Sequence, residues 1–232
     1  MRLLFSLLLP GLFMLALPAC AGLMYSAEPM EARVVDAETK QPLKDVVVTA
    51  NWQLEQGTLG GNIQAGQLMV METVTDEKGK FSFPGFGPKL AVTSHLVNDD
   101  PQLLLFKKSY EYRKLNNPYS SSPELRLRPD RRSMWDGKTI ELKSLERANT
   151  EAQYKNLLNF SKEVDNFATW HVDPCQWTNL PIVIKKMLQE RKQLEAQGAH
   201  SVMDRTLDRQ LLEGESYFIK QCGEAAKTII ER

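Results

Sequence analysis

A chain of 232 residues with 42% hydrophobic and 25% charged content has room for one or two globular domains. Its 29 basic residues balance 29 acidic ones, so it lacks the broad positive field that nucleic-acid binding needs, and no nucleic acid is expected as a partner. Three histidines, none in H-x-x-x-H or H-E-x-x-H spacing, and no D-x-[DN]-x-[DN]-G ladder leave no metal motif. Neither a metal nor a cofactor is expected.

Residues 1–19 read as an export signal. Arg2 is a minimal positive start, and Leu3 to Leu17 is an apolar run broken by Pro10-Gly11. That run is too short and too interrupted for a membrane span of about 20 residues. Two cleavage readings overlap. Leu17-Pro18-Ala19-Cys20 resembles a bacterial lipobox, which would make Cys20 the lipidated N-terminus. Ala19-Cys20-Ala21 also satisfies an A-x-A rule for ordinary secretory cleavage before Gly22. Without residues 1–19 the net charge is 28 − 29 = −1.

Residues 20–29 read as a tether. A β region follows. Glu31 to Asp36 roughly alternates apolar and polar, as a half-buried strand does. Pro42 marks a turn. Val46-Val47-Val48-Thr49 is a β-branched run, and Val46, Val48 and Trp52 share a parity that puts them on one face. Residues 55–66 hold four glycines, match no phosphate-loop spacing, and read as an exposed loop. Met69 to Asp76 is a further strand. Asp76-Glu77-Lys78-Gly79-Lys80 has the chemistry of a hairpin turn, and Phe81 and Phe83 point together, inward. Pro84 to Pro88 reads as a break, and Leu90 to Ser94 as a strand. The unbroken run Leu103-Leu104-Leu105-Phe106 suits a strand covered on both faces. Arg126, Arg128, Arg131 and Arg132 bias an irregular stretch to positive charge, read as a solvated loop. Thr139 to Leu142 is the last strand.

Near Ser144 the hydrophobic period changes to that of helices. Thr150 to Gln153 has a capping-box pattern, and Leu157, Phe160, Val164, Phe167 and His171 form one stripe. A second helix opens near Leu180, admits Pro181 in its first turn, buries Leu180, Ile184, Met187, Leu188 and Leu194, and stops at Gly198. A third runs from Ser201 to the C-terminus with Leu207, Leu211, Phe218, Cys222, Ala225 and Ile229 inside, and Gly214 can kink it. Once the signal is processed, Cys175 and Cys222 remain, and two cysteines in an oxidising compartment pair. The alternative is two buried thiols.

The stretches "VVDAETKQPLKDVVVTANW" and "TVTDEKGKFSFP" resemble the carboxypeptidase regulatory-like domain, a transthyretin-like fold. The matching residues are Val35, Asp36, Thr39, Pro42, Leu43, Val46, Val48, Thr75, Asp76, Gly79 and Phe81. Lys40 and Asp45 stand where that pattern has glycine, and Ala32 where a glycine often precedes the first strand. The resemblance implies an antiparallel β-sandwich over residues 30–143; the helical extension of about three helices over 144–232, read from the change of period, lies outside that pattern. The fold class is therefore α+β. "QLMVMETVTD" and "DPQLLLFKKSYEYR" are similar to small exported proteins of Gram-negative bacteria without assigned activity. In such families Ala21 after the cysteine suits the outer membrane, facing the periplasm. Cleavage after Ala21 would instead leave a soluble periplasmic protein.

No catalytic residue is expected. His95 and His200 are isolated, a His171–Cys175 dyad lacks any nucleophile motif, and Asp99-Asp100 reads as a turn. Trp52, Trp135, Trp170 and Trp177 read as core. The first functional expectation is a non-enzymatic, lipid-anchored envelope accessory that binds another envelope protein or stabilises an assembly. The second is a glycan or small-molecule binding module. The weakest is an envelope hydrolase.

Overall fold

The computed structural model describes residues 24–91, 94–96, 101–117, 130–168, 172–200 and 205–230. The expected signal segment 1–19, Cys20, Asp99, Asp100, Arg126, Arg128, Trp170, His171 and Ser201 lie outside them. The chain is α+β, with strands first and helices after. Among the described residues eleven strands run in order: β1 Met24–Ala27, β2 Met30–Asp36, β3 Val47–Thr58, β4 Gly61–Val74, β5 Lys80–Phe83, β6 Phe86–Leu90, β7 His95–Leu96, β8 Gln102–Phe106, β9 Arg113–Leu115, β10 Asp130–Arg131 and β11 Thr139–Leu142. Helices α1 Thr150–Ala168, α2 Pro181–Ala196, α3 Leu207–Glu213 and α4 Glu215–Ile230 follow, with a 3-10 turn at Gln176–Asn179.

The strands form three sheets, ordered β10-β1-β6, β11-β2-β5 and β4-β3-β8-β9, with β7 also on β3. The sheets are not wholly antiparallel, because β11 lies parallel to β2 and β10 parallel to β1. Residues 24–27, expected in the tether, form β1 and bury Ala27. Strand β6 starts at Phe86, earlier than expected, and runs through Gly87 and Pro88. It is an edge strand, where proline costs no ladder bond.

The β4–β5 turn is tight but does not make a hairpin, because β5 pairs with β2 and the turn carries the chain between sheets. Two aspartates hold the turns of this region. Asp36 accepts the Glu38 and Thr39 N–H groups at 2.9 and 2.8 Å and the Tyr110 hydroxyl at 3.1 Å. Asp76 accepts the Lys78 and Lys80 N–H groups, both at 2.8 Å. The Thr39 N–H first, and the Lys80 N–H first, hold these two carboxyls below the usual range, since both bond the charged form.

The sheet built on β3 and β8 has an apolar core on each face. Val46, Val48, Ala50, Trp52, Leu103 and Leu105 face the other strands with Phe81 and Phe83. Val47, Leu104 and Phe106 face the helices, and Phe106 stacks on Phe160 at 4.3 Å. That double burial is why Leu103–Phe106 is apolar without alternation.

The helical stripes match expectation, with three local differences. Asn149, not Thr150, caps α1, its side-chain oxygen 2.8 Å from the Ala152 N–H. Gly214 separates α3 from α4, so among the described residues of 144–232 four helices stand where about three were expected. Gly223 leaves helical geometry inside α4, at φ 69°, and the register slips by one: Ala226 is buried, and Ala225 is exposed. Within the bundle Arg191 and Asp208 are fully buried and paired. Arg191 also donates to Thr206 at 3.0 Å and Tyr154 at 2.9 Å, and Ser161 donates to Asp208 at 2.5 Å.

Candidate functional site at the seam between sheet and helices

The residues with unusual chemistry gather where α2 meets the β3–β8 sheet. Leu180 precedes α2 and offers no capping side chain, and Pro181 at its first position has no N–H. The missing acceptor comes from β4. Glu72 receives the Ile182 and Val183 N–H groups at 2.8 and 2.9 Å, one on each carboxylate oxygen. A carboxylate at a helix N-terminus is favourable. Burial nevertheless dominates, and pushes the Glu72 carboxyl up to about 7. No sequence pattern within α2 signals this cap, because its acceptor lies 110 residues away.

Two turns further along α2, Glu190 lines a cavity of about 270 Å³ with Asp45, Val47, Phe106, Lys108 and Lys186 among its walls. Glu190 is only 6% exposed. It has no hydrogen bond or ion pair among the described residues, although Lys108 lies near enough to pull its carboxyl down against the upward push of burial, which wins. Lys108 itself donates to Gln193, and Lys107 to the Lys44 carbonyl at 2.8 Å. A second cavity of about 360 Å³ lies beside Asp36 and Tyr110. The Asp36 carboxylate there already accepts the turn's Glu38 and Thr39 N–H groups on one oxygen and the Tyr110 hydroxyl on the other, so the Glu190 cavity is the better candidate.

The glycine-rich stretch 55–66 is not a loop. It is the distal half of a long hairpin, with Thr58 paired to Gly61. Gly61 and Gly66 take φ of 115° and 102°, at the turn and beside a register shift. Two bulges on β4 account for its two extra residues, 14 against 12. Gln64 and Gln67 donate to the Asn166 and Phe167 carbonyls at the end of α1, the former at 2.8 Å. Beyond that anchor residues 56–63 are all exposed, with Leu59 completely bare and Ile63 53% exposed.

Cys175 and Cys222 sit at disulfide distance, Sγ–Sγ 2.05 Å and Cα–Cα 5.5 Å, and fasten the loop after α1 to α4. A bridged Cys175 offers no nucleophile. Trp52 and Trp177 are core side chains, and Trp135 donates to the Asn116 carbonyl at 3.0 Å. His95 lies 4.0 Å from Glu55, and His200 contacts the Gly198 carbonyl. Arg132 faces Glu28 and Asp136 at 3.6 and 3.8 Å. Among the described residues no group of three His, Cys, Asp or Glu side chains is placed to hold a metal, and no helix is long and apolar enough to cross a membrane.

No family model matches the chain, and no curated protein matches it. Faint likenesses to solved structures exist. A 3-chlorocatechol 1,2-dioxygenase from Rhodococcus opacus 1CP is 14% identical over 54% of this chain and 61% of that one, with a TM-score of 0.24. The dioxygenase domain of a dioxygenase carbohydrate-binding protein fusion from Streptomyces sp. SirexAA-E is 12% identical over 54% and 82%, with a TM-score of 0.25. A 9R-lipoxygenase from Cyanothece PCC8801 is 11% identical over 87% and 29%, with a TM-score of 0.22. At these values the likenesses carry no argument about fold or chemistry.

Proposed function

We propose that this chain is a non-enzymatic accessory of the bacterial envelope, which binds an envelope protein or stabilises an assembly. In this reading residues 1–19 direct export and Cys20 carries the lipid anchor at the outer membrane. Residues 30–143 form a transthyretin-like, carboxypeptidase regulatory-like β-sandwich, and 144–232 are its helical extension. The observation that carries the reading is the hairpin arm. Its base is fixed to the end of α1 by Gln64 and Gln67, and its tip presents Leu59 and Ile63 to solvent. An arm anchored at its base, with apolar side chains at its end, gains apolar burial on docking.

A photo-crosslinking residue at Leu59, in the tethered protein in cells, tests this. One envelope protein crosslinked at that position, and lost with Ile63→Asp, is the expected result. Recovery of no specific adduct would remove the proposal. A second reading, a small-molecule binding module, is favoured by the cavity beside Glu190.

A further inference from the structure

Glu190 differs from the other buried ionisable groups at the centre of the molecule. Arg191 and Asp208 answer each other, and Glu72 answers two backbone N–H groups. Glu190 is as buried as a core residue, lines a cavity, and has no hydrogen-bonding partner among the described residues. Its cavity is near the lower end of small-molecule pockets, roughly 300 Å³. The space admits a metabolite-sized molecule, not a chain of sugars.

The lining also has an order. Glu190 is the buried end, Phe106 and Val47 are apolar walls, and the exposed Lys108 and Lys186 stand at the mouth. Lys186 has no ion pair or hydrogen bond among the described residues. Asp45 at the same mouth offsets part of that positive charge. A simple anion would meet the lysines but face Glu190 at the far end. A simple amine would meet Glu190 but pass between the lysines. A molecule with a cationic donor at one end and a carboxylate at the other satisfies both.

We propose that the cavity between α2 and the β3–β8 sheet binds a small zwitterion, an amine-bearing carboxylic acid, with its ammonium on Glu190 and its carboxylate on Lys108 and Lys186. The site is independent of the hairpin tip. It is tested on the full processed chain by isothermal titration calorimetry. The probes are glycine, 4-aminobutyrate and 6-aminohexanoate, which differ in reach, with butylamine and butyrate as the two half-ligands. At least one zwitterion should bind saturably, at least tenfold tighter than either half-ligand. Glu190→Gln should weaken it tenfold or more. Lys186→Ala, at an exposed position with no partner to lose, should weaken it severalfold and leave the fold intact by circular dichroism. The proposal is overturned if no zwitterion binds at millimolar concentration. Butyrate or butylamine binding as tightly as the zwitterions would overturn it too, and so would unchanged affinity in a folded Lys186→Ala or Glu190→Gln protein.

Discussion

The Glu72 cap makes a quantitative claim about pH. Burial lifts its carboxyl from an ordinary 4.5 to about 7, against the Ile182 and Val183 N–H groups that favour the charged form. A carboxyl raised on folding binds its proton more tightly in the native state. Its contribution to stability is therefore fully present below about 4.5, and is lost as the pH rises through 7. At roughly 1.36 kcal/mol per pH unit the loss has a ceiling of about 3 kcal/mol. Water reaching a carboxyl that is not fully buried lowers it. Glu72→Gln keeps the shape and cannot titrate. Urea unfolding of both proteins, at steps from pH 4.5 to 8, isolates the group, because every other titration is common to the two. The stability of Glu72→Gln relative to wild type should rise with pH across this interval, by up to about 3 kcal/mol. Parallel curves would show that Glu72 titrates in the folded protein as it does in the unfolded chain, and the argument from its burial would fail.

Two further outcomes follow from covalent and steric constraints. The Cys175–Cys222 bridge closes a separation of 47 residues, so Cys222→Ser should cost about 4 kcal/mol in urea unfolding by the loop-entropy estimate. Wild type in strong reductant should fall to the same value, and an alkylation pattern indifferent to reductant would show that the thiols are free. Gly79→Ala should be severe. A Cβ there would stand 2.3 Å from the Val34 carbonyl oxygen, at a φ of +70°. Gly137 has the same φ with nothing within 4 Å of its Cβ position. Its alanine variant should cost about 1 kcal/mol for the left-handed backbone alone. Gly79→Ala should cost at least about 2 kcal/mol more by unfolding midpoint, as expected when a residue cannot take the native geometry. Equal losses at the two positions would refute the close approach.

What was legible in the sequence was whatever local chemistry decides. Alternation put Val46, Val48 and Trp52 on one face, and Phe81 and Phe83 both point into the same core. Lys40 and Asp45, standing where the resembling pattern has glycine, adopt φ of 58° and 61°. The turns keep a left-handed backbone without the residue that adopts it freely, and Lys40 also reaches Glu141 at 2.7 Å. The distal hairpin was not legible, because glycine and glutamine carry little strand preference and its stability lies in a ladder only pairing reveals. The slip from Ala225 to Ala226 was hidden as well, since it depends on how Gly223 breaks α4.

The cap and the cavity were hidden for a different reason: each is made by residues that meet only across the seam. That seam also changes the meaning of the break in period near residue 144. The run Val46-Val47-Val48 alternates between two cores, and the middle residue belongs to the helical one. Leu104 and Phe106 do the same on the neighbouring strand. The helices therefore supply the second face of a sheet that has no solvent-facing side at its centre. Ending the chain at 143 would leave Val47, Leu104 and Phe106 uncovered, remove the wall that makes the Glu190 cavity, and leave Glu72 with no helix to cap. A change of hydrophobic period marks where the secondary structure changes, and it marks a boundary of folding only when the two cores on either side share no strand.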